Sequence, residues 1–491
     1  MRSVAAALLV AAGGAVVAGV SARRAAVAEG RAEPLADSVR VSLATAKMQV
    51  EARIRTFAES GSAPAGMRTA VGARAVGPSS TGAAGATGHA GPGAASSDSP
   101  SSAFPAGVRS DRGYGLLRPA GARGFVPALE GIRGLAAVGV MTTHIAFVTR
   151  SSFGSPVKRI FGRLDMAVAV FFAKTGFLVW RAHARHAWED KPGTARPAGE
   201  FLTSRVKRIM PAYVVLVAAA MLLLKQNHVN GPVTWLLNLT LTQIYTPKFL
   251  VAGLTHAWSL AVEMAFYAAL PVLWTAMRRL RGVSAGWQIP VIIAFGASGL
   301  VFPAIPWQAL GLLPAGVNVQ ILPPALTAWF AAGMLLAEIA TAPPGTLVRM
   351  CRDKAARWGW WIAGGAALVA TTVPAWFSEG FTHPGPAEFA GRTGLSGTMA
   401  FLVLAPVVLA PEGTRFPVLE SMPLQKLGTW SYGIFLWHQL ILLAAFPVTR
   451  TALWDRRMHV IWPVTVAGSI AAGAASHRFL EEPARKLLER P

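Results

Sequence analysis

An all-α fold is predicted: a polytopic transmembrane helix bundle of about ten core spans, preceded by a disordered N-terminal extension. Three observations predict it. The 491 residues are 53% hydrophobic and only 14% charged, against about a quarter charged in an ordinary soluble chain. Apolar runs of membrane length follow one another from residue 127 onward, and a helix needs roughly twenty residues to cross a bilayer. Basic residues gather between these runs, as they do where Lys and Arg hold loops in the cytosol.

In chain order, residues 1–30 contain an apolar run at 4–20. It is either a signal peptide ending at Val-Ser-Ala or an anchor held by Arg23, Arg24 and Arg31. Residues 31–122 form a linker, with a weakly amphipathic stretch at 35–60 followed by Gly, Ala, Ser and Pro with scattered Arg. That composition buries no core and predicts disorder. Residues 123–491 form the membrane domain. Its expected spans lie near 131–149, 164–181, 209–225, 257–277, 287–304, 321–340, 358–377, 395–411, 427–447 and 458–477. The stretch 232–246 is short and interrupted by Asn238 and Gln243, so a re-entrant or interfacial helix is expected there.

Loop charge sets the orientation. Arg181, Arg185, Arg205, Lys207 and Arg208 lie between the second and third spans, Arg278, Arg279 and Arg281 follow the fourth, and Arg349, Arg352 and Lys354 follow the sixth. With ten spans and the first running outward, all three clusters fall in the cytosol. The expected location is therefore the cytoplasmic (inner) membrane, multi-pass. The net charge of +23 is explained by these loops and by anionic membrane lipids as partners, and no nucleic-acid motif accompanies it. Cys351 is the single cysteine, which excludes an intrachain disulfide and argues against a Cys-based metal site. No metal is expected.

Ionisable residues inside spans are costly and mark function. Arg133 and His144 in the first span are eleven residues apart, which places them roughly 16 Å apart on nearly the same helix face. His256, Ser259, Glu263 and Tyr267 follow a 3–4–4 spacing in the fourth span and so share one stripe. Ser431 and His438 lie one heptad apart in the ninth. Lys174 sits among aromatic residues in the second. It either snorkels toward the interface or pairs with Glu263 or Glu130. Together these groups predict one polar cavity within the bundle.

The segments LEGIRGLAAVGVMTTHI, FFAKTGFLV, SRVKRIMPAY, THAWSLAVEMAFY, LGTWSYGIFLWH and FLEEPARK resemble, in order, the signature blocks of the acyltransferase family 3 membrane proteins, over about residues 125–488. The resemblance implies about ten core helices and O-acylation of carbohydrates, lipids or secondary metabolites. It implies that Arg133 and His144 are essential, and that the family's other blocks fall on Arg205 and Arg208, on Trp258, Ser259 and Glu263, and on Ser431, Tyr432 and His438. Three positions depart from the pattern: Lys174 replaces a hydrophobic residue, Thr175 a serine and Ala169 an acidic residue.

The expected activity is transfer of an acyl group, acetyl foremost, from cytosolic acyl-CoA to a hydroxyl of a surface glycan, glycolipid or related acceptor. Acyl-CoA is a co-substrate, and no cofactor is permanently bound. His144 is the expected general base or, as the second choice, a transient acyl carrier, with Glu263 as a carboxylate suited to orient it and Arg133 at the cytosolic mouth. Arg205 and Arg208 are expected to hold donor phosphates, and Trp258, Ser259, Ser431, Tyr432 and His438 to bind substrate. Two other readings fit the same charges: a transporter or exporter, and a catalytically degenerate relative.

Overall fold

A computed structural model describes residues 126–488 except 190–196, 248–250, 282–286, 342–353, 375, 379–383 and 412. The leader at 1–30, the linker at 31–122 and Cys351 lie outside the described residues. Those described are helical, with no strand among them. All ten apolar runs coincide with helices. α1 is Pro127–Val148, α2 Pro156–Arg163, α3 Ala167–Glu189, α4 Ala198–Leu223 and α5 Pro232–Leu239. α6 is Trp258–Arg281, α7 Gln288–Val301, α8 Thr327–Thr341 and α9 Lys354–Ala370. α10 is Pro386–Val408, α11 Met422–Thr449, α12 Met458–Ser476 and α13 Glu482–Leu488.

Seven of the described helical stretches are long and apolar enough to cross a membrane: 127–148, 198–223, 255–279, 323–341, 386–408, 422–449 and 458–486. A count of ten requires three more. These are α3, which carries Lys174, Arg181 and Arg185, the 17-residue α9, and the apolar stretch Gln288–Ala304. The chain is a multi-pass membrane protein, and its outer surface agrees. Leu223 is 74% exposed, Val272 71% and Ile362 70%, as side chains facing lipid would be in a structure without a bilayer. The stretch at 232–246 resolves into two short pieces, α5 and a 3₁₀ turn at Gln243–Tyr245. The Tyr213 hydroxyl ties them to the bundle by donating to the Asn238 carbonyl at 2.7 Å.

The helix ends follow local chemistry. Proline opens α1, α2, α5 and α10, where its missing N–H costs nothing. Ser155 caps α2 by accepting from the Lys158 amide. Interior prolines at 211, 271, 406, 447 and 463 are all in spanning stretches, where neighbouring helices satisfy the freed backbone groups.

Two seams bring backbones into contact. Along α3–α8, a Cβ at Gly333 would lie 1.8 Å from the Ala173 carbonyl oxygen, and one at Gly176 would lie 2.4 Å from that of Phe330. Along α1–α11, Gly428 stands in the same way against the Glu130 carbonyl, at 2.2 Å. Small residues permit this approach where van der Waals packing, rather than water exclusion, drives association. Gly333→Ala is therefore expected to destabilise the bundle by about 1–3 kcal/mol, read as a lowered thermal midpoint in detergent. Gly359→Ala, whose added methyl group would meet nothing within 4 Å, serves as the control, and equal midpoints would contradict the account of the seam.

Candidate active site

The polar cavity lies among α1, α3, α4, α6, α11 and the C-terminal segment, and has a volume of about 390 Å³. This is within the range of small-ligand sites. Of the residues singled out in the sequence, Arg133, Arg205, Arg208, Ser259, Glu263, Ser431 and Tyr432 all line it. Trp258 does not line it, and packs instead against the hydrophobic core.

The carboxylates of this cavity are occupied by the protein itself. Glu130 accepts from Lys174 Nζ at 2.5 Å and from Arg133 at 3.3 Å. Lys174 is buried, so it does not snorkel; of its two expected partners the structure selects Glu130. Glu263 accepts from the Thr175 hydroxyl at 2.8 Å and the Tyr267 hydroxyl at 2.7 Å. Both bonds fall on Oε1, and His144, for which Glu263 is the expected orienting group, is hydrogen-bonded to His438. Glu481 accepts from Ser476 at 3.2 Å and faces His477 at 3.6 Å.

The guanidinium of Arg205 is held differently. It stacks over Phe201 and Tyr267, 5.1 and 5.2 Å from the ring centres, and its Nε has no hydrogen-bond partner among the described residues. A planar cation held against two adjoining aromatic rings in this way is suited to an incoming anion. The hydroxyls of Ser259 and Ser431 donate to carbonyls one turn back in the chain, those of His256 and Gly428, while Tyr432 donates to the Ile209 carbonyl. Tyr432 thus ties α11 to α4 across the cavity wall.

His144, His256 and His438 do not line the cavity. Each lies one helical turn beyond a residue that does: Val140, Ser259 and Phe435. The three imidazoles meet there. His144 Nδ1 and His438 Nε2 are 2.8 Å apart, with ring centres 5.0 Å apart and ring planes within 11° of each other, and His256 packs edge-on to His438 at 4.7 Å. They form a layer one helical turn beyond those lining residues. His256 belongs to a 3₁₀ turn, Thr255–Ala257, that opens α6, which is how it leaves the stripe shared by Ser259, Glu263 and Tyr267. Among the described residues, no group of three or more His, Cys, Asp or Glu side chains is arranged to hold a metal.

The C-terminal block supplies lining residues with no role assigned from sequence: His477, Glu481, Glu482 and Arg485. A π-helical turn, His477–Glu481, leads from α12 into α13 and changes which side chains face inward. The run of two acids and a basic residue after the last apolar segment was the available signal.

Membrane helices gathered around a charged cavity, with a histidine cluster one turn beyond its lining, are the frame on which a family match falls. Residues 126–476 match the acyltransferase family 3 model, described as an acyltransferase domain, and the chain belongs to that family: it is an acyltransferase acting on groups other than aminoacyl. It is 28% identical to the acyltransferase MdmB of Streptomyces mycarofaciens, over 74% of this chain and 93% of that protein. It is 26% identical to nodulation protein 10 of Rhizobium leguminosarum bv. viciae, over 65% of this chain and 82% of the relative. The peptidoglycan O-acetyltransferase OatA of Listeria monocytogenes is 24% identical over 74% of this chain, and the match spans only 56% of its length. No solved structure matches.

Proposed function

We propose that this protein transfers an acyl group, acetyl in the first instance, from cytosolic acyl-CoA to a hydroxyl of a surface glycan, glycolipid or related acceptor. The observation that carries the reading is the cavity itself. It combines Arg205, which lies against two adjoining rings and has no acid partner among the described residues, with Arg133, Arg208 and Arg485, and the histidine layer lies one helical turn beyond its lining. Guanidinium forks suit the phosphates of coenzyme A. The basic segment that opens α4 supports an arginine end that faces the cytosol and, with it, a location in the cytoplasmic membrane. The relatives' names add O-acetyl transfer as the reaction type to test.

In the reaction, His144 takes the proton from the acceptor hydroxyl as its oxygen attacks the thioester carbonyl. The C–S bond then breaks, and the departing thiolate recovers that proton. The arginines bind and orient the donor without entering these steps.

The test is labelled acetyl-CoA added to membranes with and without the protein. Label is expected in an extractable glycan or lipid. Arg208→Ala should raise the KM for the donor about tenfold, corresponding to the loss of roughly 1.4 kcal/mol of charge-assisted binding. If no acyl-CoA, short or long, gives protein-dependent label while the chain inserts normally, the donor assignment is wrong.

A further inference from the structure

The histidine layer fixes which nitrogen of His144 is basic. His438 is fully buried, and its Nδ1 lies 2.6 Å from the Phe435 carbonyl oxygen. A carbonyl only accepts, so His438 Nδ1 carries a hydrogen and donates it. In the neutral ring, Nε2 then bears the lone pair. That Nε2 lies 2.8 Å from His144 Nδ1, so His144 Nδ1 must be the donor. The lone pair of His144 therefore resides on Nε2. This nitrogen has no hydrogen bond among the described residues, and His144 is only half-buried.

The reverse arrangement would need a hydrogen on both nitrogens of His438, making it a cation. No acid is hydrogen-bonded to or ion-paired with His144, His256 or His438 among the described residues, and an unpaired charge inside the bundle is costly. His256 does not compete for His438 Nε2: among the described residues neither of its nitrogens has a hydrogen-bond partner of normal geometry, and it packs edge-on against Phe435 at 4.9 Å as well as against His438. It walls the pair in.

We propose that His438, expected from sequence to bind substrate, is instead a positioning residue that locks His144 in the tautomer with a bare Nε2. The proposal rests on the reading of His144 as the base that accepts the acceptor's proton. While His144 carries that proton, it has a hydrogen on each nitrogen, and Nδ1–H still donates to His438. When the proton returns to the departing thiolate, the same tautomer is restored without ring rotation. Both steps use one atom.

The experiment is ¹⁵N-histidine solid-state NMR of the full chain in lipid bilayers, with the His144 signals identified by their loss in His144→Ala. In the wild type, His144 is expected to carry hydrogen on Nδ1 and none on Nε2. His438→Ala should convert a large share to the other tautomer and lower kcat by about 10²-fold with KM for the donor unchanged. His438→Gln, whose amide oxygen can still accept from Nδ1–H, should recover most of kcat. A wild-type His144 bearing hydrogen on Nε2 would overturn the proposal. So would a His438→Ala variant that keeps kcat and raises KM for the acceptor, since that is the behaviour of a substrate ligand. If the tautomers are as stated yet His144→Ala still transfers label, the base assignment falls and the positioning of the ring stands.

Discussion

His144→Ala is expected to lower acyl transfer by about 10²–10⁴-fold, the usual contribution of a positioned proton acceptor. The protein should remain folded. Among the described residues His144 makes one side-chain hydrogen bond, to His438, and is half-buried, so its truncation leaves one buried acceptor unsatisfied, at about 1–3 kcal/mol. That cost is small beside the packing of a bundle this size. The measurement is label transfer in membranes matched for the amount of inserted protein. A wild-type rate in a folded His144→Ala variant would remove the residue from the chemistry altogether.

Glu130→Gln carries the second large effect, on stability. Glu130 holds both Lys174 and Arg133, and the side chains of Glu130 and Lys174 are only 16% and 10% exposed. Removing the carboxylate leaves a buried ammonium without its anion, and breaking such a pair on one side typically costs about 3–5 kcal/mol. The thermal midpoint in detergent should fall well below that of Gly333→Ala. Adding Lys174→Met, which returns the hydrophobic character usual in the family at this position, should restore much of the loss. If Glu130→Gln alone leaves the midpoint unchanged, the ion pair contributes nothing to holding α1 against α3.

The helices were legible in the sequence because lipid imposes long apolar runs. Each of the ten runs coincides with a helix, although only seven of the described stretches meet the length and composition of a span. The shared face of Arg133 and His144 was legible too, since spacing along one helix fixes rotation. What the spacing left open was how deep the cavity reaches: Arg133 is inside and His144 is one turn past its end. Contacts between helices were not legible. The His144–His438 bond joins residues 294 apart in the chain, and it depends on the register of α1 against α11, which no periodicity reports. For Lys174 the sequence offered two acids, and the choice of Glu130 follows from the close α1–α3 packing. Arg205 was read only as a cation; its stacking on Phe201 and Tyr267 needs α4 and α6 side by side.

The glycine seams bear on how the molecule can breathe. Where a backbone oxygen occupies the place of a side chain, as at Gly333, Gly176 and Gly428, two helices cannot slide or part by a fraction of an ångström without losing contact along the whole line. The α3–α8 and α1–α11 pairs thus behave as stiff slabs. The remaining wall, built from α4, α6 and α13, meets the cavity through long side chains such as Arg205, Arg208 and Arg485. Side-chain bonds that join it across the cavity include those of Tyr432 to α4 and of Thr175 to Glu263. Any displacement that widens the cavity is therefore concentrated on the wall that carries Arg205, Arg208 and Arg485, while Arg133 stays with the stiff α1–α11 pair.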